Sequence, residues 1–369
     1  MTITAVTLVV LGVVLLVFGA ECLVRGASRF ASMLGVSPLI IGLTIVAFGT
    51  SAPELAVSIR AAFGGQADLA LGNVVGSNIC NVLLILGASS LVAPLVVAQQ
   101  LVRLDVPIMI GVSALMLFFG LDGTISSSDG VILFTGGLVY TVFLLVQSRR
   151  EKDQGVQDEY AQEYGPHPFS WRKVGKNAFL FVSGSVTLVA GSQFLVKGAV
   201  DIATALGASA LVIGLTIVAL GTSLPELATS MVASLRGERD IAVGNVVGSN
   251  IFNILVVLGA TSAIAPGGIQ ISSAALSFDI PVMVAVAVMC FPIFFSGNLV
   301  SRWEGALLLS YYLAYILYLF LESSNHSSSE ALGSVLKFVI VPLTILALSL
   351  MTWQSRQSRQ KGRGIEDRG

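Results

Sequence analysis

Long apolar runs alternate with short polar segments along the whole chain of 369 residues. A helix of about 20 apolar residues crosses the roughly 30 Å hydrocarbon core of a bilayer, and runs of that length recur here. Stretches such as Val9 to Val17 lack the polar alternation of barrel strands, which favours helices. The pattern predicts eleven membrane-spanning helices, at residues 4–20, 35–62, 70–92, 104–121, 130–147, 177–196, 207–235, 240–264, 276–296, 303–321 and 335–353.

The composition supports an all-α, polytopic membrane protein. Hydrophobic residues make up 55% of the chain and charged residues only 11%, against about 25% charged in an average soluble domain. The net charge of −1 argues against a nucleic-acid-binding protein. Cys22, Cys80 and Cys290 lack metal-site spacing and are expected to pack in or beside apolar segments. We therefore expect the lipid bilayer as the main surrounding, with no cofactor and no obligate protein partner.

The sequence contains an internal repeat. Shifting it by 172 positions aligns residues 42–87 with residues 214–259, and 30 of the 46 ungapped pairs are identical. The similarity extends upstream from Leu23 and Leu195 and downstream from Leu104 and Phe278. The duplication therefore covers two groups of helices. It predicts a first half at 1–147, a linker at 148–176, a second half at 177–321, and an eleventh helix with a basic tail at 322–369.

The topology follows from the number of helices and from the basic residues. Five helices precede the linker, and an odd number of crossings makes the second copy enter the membrane from the opposite side. The expected fold is a ten-helix inverted repeat (5+5) plus one extra helix. Basic residues accumulate in cytoplasmic loops, and with the N-terminus outside only Arg60, Lys197 and Lys337 of the 20 fall outside. We expect a cytoplasmic linker and C-terminus, in a prokaryotic plasma membrane.

Each half carries one carboxylate inside an apolar helix. Glu54 is the only acid or base between Phe30 and Ile59, and Glu226 is the only one between 202 and 235. A carboxylate at that depth costs several kcal/mol unless it meets a cavity, a cation or a partner, so it indicates a functional site. A protonated glutamic acid that bonds between helices is the structural alternative. Two glutamates at matched positions favour function over that alternative.

Hydroxyl groups share the helical face of each glutamate. Counting back from the glutamate, a serine, a threonine and an alanine follow at helical spacing in both halves. Hydroxyl and carboxylate oxygens are the hard ligands that Ca²⁺ prefers, and the same logic extends to Na⁺. A proline directly before each glutamate breaks the helix and frees backbone carbonyl oxygens, either to line an ion path or as a simple kink. These residues are Ala47, Thr50, Ser51 and Pro53, and Ala219, Thr222, Ser223 and Pro225.

The next helix in each half carries a second polar stripe. The segments GNVVGSNICN and GNVVGSNIFN space their asparagines and serines four residues apart, and their glycines allow close helix packing. For Ser77, Asn81, Ser249 and Asn253, interhelical hydrogen bonding and ion coordination are equally compatible with the spacing. Asn73, Asn78, Asn245 and Asn250 favour a structural role. Asp105 and Asp279 lie near predicted helix starts and are expected to cap those helices.

The motifs GTSAPEL with GNVVGSNICN, and GTSLPEL with GNVVGSNIFN, resemble the α-repeats of the sodium/calcium exchangers in the cation/calcium antiporter superfamily. The resemblance covers about 320 residues and implies an antiporter whose second, third, seventh and eighth helices surround a central ion site. The implied ligands are Glu54 and Glu226, the side chains of Thr50, Ser51, Thr222 and Ser223, the carbonyls of Ala47 and Ala219, and Ser77, Asn81, Ser249 and Asn253.

The resemblance also implies a mechanism. Two ionised glutamates neutralise one Ca²⁺, while Na⁺ ions compete for the same oxygens, so exchange follows from mutual exclusion. Three Na⁺ would leave the site at +1 and make transport electrogenic. Some family members carry aspartate where this chain has Asn253, which leaves stoichiometry and potassium dependence open. An H⁺/Ca²⁺ or other divalent-cation antiporter is the main alternative, ahead of a channel, a receptor or an intramembrane hydrolase.

Overall fold

The computed structural model describes residues 3–34, 36–150, 171–207, 217, 219–295 and 297–323, together with 333–335 and 346. Within them, eight helices are long and apolar enough to cross a membrane, and a bent pair adds a ninth. The predicted all-α, polytopic membrane fold is confirmed. The predicted span 207–235 is described only in part. The predicted eleventh helix and most of the linker lie outside the described residues.

The same order of helices occurs in both halves. The first half contains α1 (Ile3–Leu34), α2 (Pro38–Thr50), α3 (Ala52–Phe63), α4 (Ala67–Val92), α5 (Leu101–Asp122) and α6 (Ser127–Arg150). The second half contains α7 (Trp171–Ala205), α8 (Ala219–Gly221), α9 (Leu224–Leu235), α10 (Arg239–Ile264), α11 (Ala275–Phe295) and α12 (Arg302–Ser323).

Helices α1 and α7 are much longer than the sequence pattern predicted. They contain 32 and 35 residues, whereas the apolar runs predicted 4–20 and 177–196. At about 1.5 Å per residue, each helix exceeds the roughly 30 Å hydrocarbon core. The predicted ends were wrong because polar residues such as Glu21 and Arg25 interrupt the apolar run but continue the helix. These side chains pair with other residues at one end of the bundle.

Four short strands connect the halves in two antiparallel pairs. Strand β1 (Leu95–Val96) pairs with β4 (Leu299–Val300), and β2 (Thr124–Ile125) pairs with β3 (Ile269–Gln270). In each pair one strand belongs to the first half and the other to the second. Exchanging the halves converts one pair into the other, as expected for two repeats related by a pseudo-twofold axis.

The expected capping role of Asp105 and Asp279 is wrong. Helices α5 and α11 begin at Leu101 and Ala275 with a π-helical turn, so both aspartates lie inside a helix rather than at its start. Instead, the hydroxyl of Tyr140 donates to Asp105 Oδ1 at 2.9 Å, and the hydroxyl of Tyr315 donates to Asp279 Oδ1 at 3.1 Å. Each aspartate therefore joins two helices of its own half.

Tyr140→Phe should destabilise the protein by about 1–3 kcal/mol, because it removes a hydrogen bond to a buried carboxylate. Thermal unfolding in detergent measures the loss. The matched background is Asp105→Ala, in which the Tyr140 hydroxyl has already lost this acceptor. There, Tyr140→Phe should cost almost nothing. An equal loss in both backgrounds would place the effect elsewhere than in the Tyr140–Asp105 bond.

Candidate ion site

Both glutamates stand in the first turn of a helix that begins after a break. Helix α2 ends at Thr50 and α3 starts at Ala52, with a bend of 43° between them. Ser51 at the break has φ −84° and ψ 4°, and Ser223 before α9 has nearly the same conformation. Because Pro53 and Pro225 have no N–H, the helical hydrogen bonding is interrupted there. The positive end of each short helix therefore lies at its glutamate.

The two carboxylates are buried and close to each other. Glu54 is 0% exposed and Glu226 is 1% exposed. Their carboxylates are near enough to repel each other, and no described residue forms a salt bridge with either one. Two like charges in this setting are stable only when a cation or protons neutralise them. The chemistry of this pair therefore suits a positively charged partner.

Hydroxyl groups from each half reach into the other half. The Ser51 hydroxyl donates to Glu226 Oε1 at 3.2 Å, and Ser223 donates to Ser77 at the same distance. Thr50 and Thr222 donate to the amide oxygens of two asparagines, at 3.1 and 3.2 Å. These acceptors are Asn245 for Thr50 and Asn73 for Thr222. The site is therefore shared between the repeats rather than duplicated within each one.

Asn73 and Asn245 fix the helices that carry the glutamates. The amide nitrogen of Asn73 donates to the backbone oxygen of Glu54 at 3.1 Å and to Ser58 at 2.9 Å. Asn245 makes the corresponding bonds to the backbone oxygen of Glu226 and to Ser230, at 3.4 and 3.0 Å. This geometry agrees with their predicted structural role. Sequence reasoning missed the two serines, although each lies four residues after its glutamate on the same helical face.

The asparagines farther along α4 and α10 bond across the pseudo-twofold axis. The amide of Asn253 donates to Asn78 Oδ1 at 3.1 Å, and the amide of Asn81 donates to Asn250 Oδ1 at 3.0 Å. This arrangement uses the nitrogens of Asn81 and Asn253 and leaves their oxygens without a partner among the described residues. Asn78 and Asn250 thus orient the two asparagines that the sequence indicates as ligands.

Six buried oxygens of the site have no hydrogen-bond partner among the described residues. All six belong to side chains that the sequence analysis named as candidate ligands. Leaving such acceptors buried and unpaired costs free energy, which a bound cation would recover. The atoms are both carboxylate oxygens of Glu54, Oε2 of Glu226, Oδ1 of Asn81, Oδ1 of Asn253 and Oγ of Ser249.

The backbone carbonyls are arranged differently from the side chains. The Ala47 carbonyl accepts bonds from the Ser51 N–H at 2.9 Å and from the Thr50 hydroxyl at 3.3 Å. The Gly221 carbonyl, which the proline break exposes, accepts a bond from Ser192 of α7. These oxygens already have partners, so coordination by Ala47 stays a prediction. For Ala219 the structure describes only the backbone, and residues 208–216 and 218 directly before it are not described, so its coordination stays a prediction as well.

An inverted repeat with two facing carboxylates at the centre of a helical membrane bundle defines a class of protein, the secondary ion transporters. The family profile described as "Sodium/calcium exchanger protein" matches residues 4–148 and 176–321. The chain therefore belongs to the sodium/calcium exchanger family.

Individual relatives agree with this assignment. CaxA of Alkalimonas amylolytica, a protein named as an antiporter, is 42% identical over 320 residues, which cover 86% of this chain and 98% of that protein. The sodium/calcium exchanger MaX1 of Methanosarcina acetivorans is 33% identical over 343 residues, covering 85% and 97%. A solved structure of the sodium-calcium exchanger NCX_Mj superposes with a TM-score of 0.74 at 30% identity, covering 86% of this chain and 100% of that one.

Proposed function

We propose that this protein exchanges Na⁺ for Ca²⁺ across a membrane by alternating access, and that Glu54 and Glu226 hold the ions in turn. The observation that carries the proposal is the pair of buried carboxylates, one from each half, beside six unpartnered oxygens. Oxygen ligands of this kind suit Ca²⁺ and Na⁺, and none of the candidate ligands named from the sequence carries sulfur or imidazole.

Charge balance supports exchange rather than simple binding. Two ionised glutamates give the site a charge of −2, which one Ca²⁺ neutralises. Three Na⁺ at the same oxygens would leave +1, so the cycle would move net charge and respond to voltage, at about 2.3 kcal/mol per charge per 100 mV. Because the same oxygens serve both ions, each ion must leave before the other binds.

Protons are the second candidate counter-ion, because protonation also neutralises a buried carboxylate. No described residue forms a salt bridge with Glu54 or Glu226, so protons could neutralise the empty site as well as Na⁺ could. The names of the relatives support Na⁺, since MaX1 and NCX_Mj are both named for sodium and calcium. We further propose an external N-terminus, from the distribution of basic residues, and a prokaryotic plasma membrane, from the compact build of the protein.

Uptake of radioactive Ca²⁺ into proteoliposomes tests the proposal. An outward Na⁺ gradient should drive uptake, and an inside-negative potential set with valinomycin should slow it, because three Na⁺ leaving carry more charge than one Ca²⁺ entering. The same vesicles with an outward proton gradient and no Na⁺ test the second candidate. Uptake that depends on neither gradient would contradict antiport, and uptake driven by protons alone would replace Na⁺ by H⁺.

A further inference from the structure

The two ends of the bundle differ in how tightly they are closed. We call them the Arg236 face, at the C-terminal end of α9, and the Arg60 face, at the C-terminal end of α3. Helix α1 packs along α9 at the Arg236 face, whereas the described residues of α7 show no comparable packing against α3. If the two repeats were arranged identically, α7 would pack against α3 as α1 packs against α9. The structure is therefore closed at the Arg236 face.

Burial shows the same difference at matched positions of α3 and α9. Pro225 is buried while its equivalent Pro53 is half-buried, and Ala228 is half-buried while Ala56 is exposed. The residues of α9 lie under α1, and among the described residues no helix covers α3 in the same way. In alternating access, one repeat moves against the other around a fixed site. The tight contact between α1 and α9 is thus the contact that must loosen when the Arg236 face opens.

An ion pair joins these two helices. Nε of Arg236, which directly follows α9, donates a hydrogen bond to Glu21 Oε2 on α1, and Nη2 of Arg236 forms a salt bridge with Glu21 Oε1. Arg25, one turn along α1, also pairs with Glu21. Nearby, the Ser28 hydroxyl donates to Glu238 at 2.7 Å. The Glu21 side chain is 23% exposed and that of Arg236 is 39% exposed, so water screens this pair only in part.

The other half lacks the ion pair. At a shift of 172 residues, Glu21 corresponds to Gln193 and Arg236 to Gly64. The backbone does not account for the difference, because Gly64 has φ −79° and ψ 1° while Arg236 has φ −87° and ψ −2°. An arginine would therefore fit the backbone at residue 64. The two halves differ here in charge rather than in backbone conformation.

We propose that the Glu21–Arg236 ion pair holds the Arg236 face closed, and that it thereby sets how the apparent Ca²⁺ affinity differs between the two faces. This inference rests on the proposed antiport function. If the site has one intrinsic affinity, the apparent affinity at each face is reduced by the fraction of molecules open to that face. The half-saturating Ca²⁺ concentration at the Arg236 face, divided by that at the Arg60 face, then equals the population open to the Arg60 face divided by the population open to the Arg236 face.

The test compares the half-saturating Ca²⁺ concentration at each face in right-side-out and inverted membrane vesicles. Exchange of Ca²⁺ for radioactive Ca²⁺ is measured, because it needs no assumption about the counter-ion. A separate C22S/R60C protein, which lacks the half-exposed Cys22 thiol, is labelled with an impermeant thiol reagent and shows which vesicles expose the Arg60 face. Glu21→Gln and Arg236→Gln should each lower the ratio of the Arg236-face value to the Arg60-face value about two- to five-fold, the range expected for a partly exposed ion pair.

Two double variants keep the test independent of folding defects. The charge swap E21R/R236E should restore the ratio of the unmodified protein. The pair Q193E/G64R should lower the ratio, because it offers the same ion pair to α7 and α3 when the Arg60 face closes. Arg25→Gln is the matched control, since Arg25 and Glu21 lie on one helix and move together, so its ratio should not change.

The outcomes separate this inference from the proposed function. Absence of Ca²⁺ exchange in the unmodified protein would contradict the proposed function itself. Intact exchange with the same ratio in Glu21→Gln, Arg236→Gln and the charge swap would overturn only the role of the ion pair. A ratio that changes equally in Arg25→Gln would do so too, because it would indicate a general effect of surface charge.

Discussion

Glu54→Gln and Glu226→Gln should each abolish Ca²⁺ exchange. Glutamine keeps the size and one oxygen of the side chain but removes a charge that Ca²⁺ needs in a buried site. Removing one partner of a buried ion pair costs about 3–5 kcal/mol, which corresponds to a loss of Ca²⁺ affinity of more than about 100-fold. The half-saturating concentration and maximal rate of radioactive Ca²⁺ exchange in proteoliposomes measure this loss.

The same two variants should make the ion-free protein more stable. Both carboxylates are buried, neither has a cationic partner among the described residues, and a neutral amide relieves their mutual repulsion and part of their desolvation. A higher unfolding temperature in ion-free detergent buffer, together with lost exchange, would separate a functional from a structural role.

Glu304→Gln is the control, because Glu304 is also buried but bonds to Ser301 at the start of α12. It should keep exchange, whereas full exchange in Glu54→Gln would falsify the role of the glutamates.

Most helices and the residues of the candidate site could be predicted from the sequence. Each predicted span that lies fully within the described residues coincides with helical structure, and the prolines before the glutamates lie at the observed breaks. These features could be predicted because apolar length, proline chemistry and an intramembrane acid act locally. The internal repeat added the second copy and its inverted orientation, which would otherwise need long-range information.

Other features depended on contacts between halves, which a local pattern does not contain. The bond from Ser51 to Glu226 and the crossed asparagine bonds join residues about 170 positions apart in the chain. The spacing left coordination and interhelical bonding equally possible for Asn81 and Asn253. The structure is compatible with both roles in one amide group. The nitrogen makes the interhelical bond, and the oxygen, which has no partner among the described residues, is left for coordination.

The wrong predictions share a physical cause, because both assumed that a polar residue marks the end of a helix. Helix α1 continues past Glu21 and Arg25, and helix α5 begins four residues before Asp105. In both places an acidic side chain finds a partner outside its own helix, Arg236 for Glu21 and Tyr140 for Asp105, and the helix continues through the polar residue. Such partners become visible only when the packing of the bundle is known.

Gly12→Leu should cause a large loss of stability through the pair of long helices. A Cβ atom on Gly12 of α1 would lie 2.5 Å from the backbone nitrogen of Leu195 and 2.8 Å from the carbonyl oxygen of Gly191, both on α7. Backbone atoms cannot move aside as a side chain can, so the helices must separate, at a cost of about 3 kcal/mol or more. Gly111→Leu is the matched control, because Gly111 is in a helix and no atom of another described element lies within 4 Å of its added Cβ. Both substitutions gain the same helix propensity, so the difference between their unfolding temperatures in detergent isolates the contact. Equal unfolding temperatures would show that α1 and α7 do not pack at this distance, and the ion pair between α1 and α9 would then lose its supporting frame.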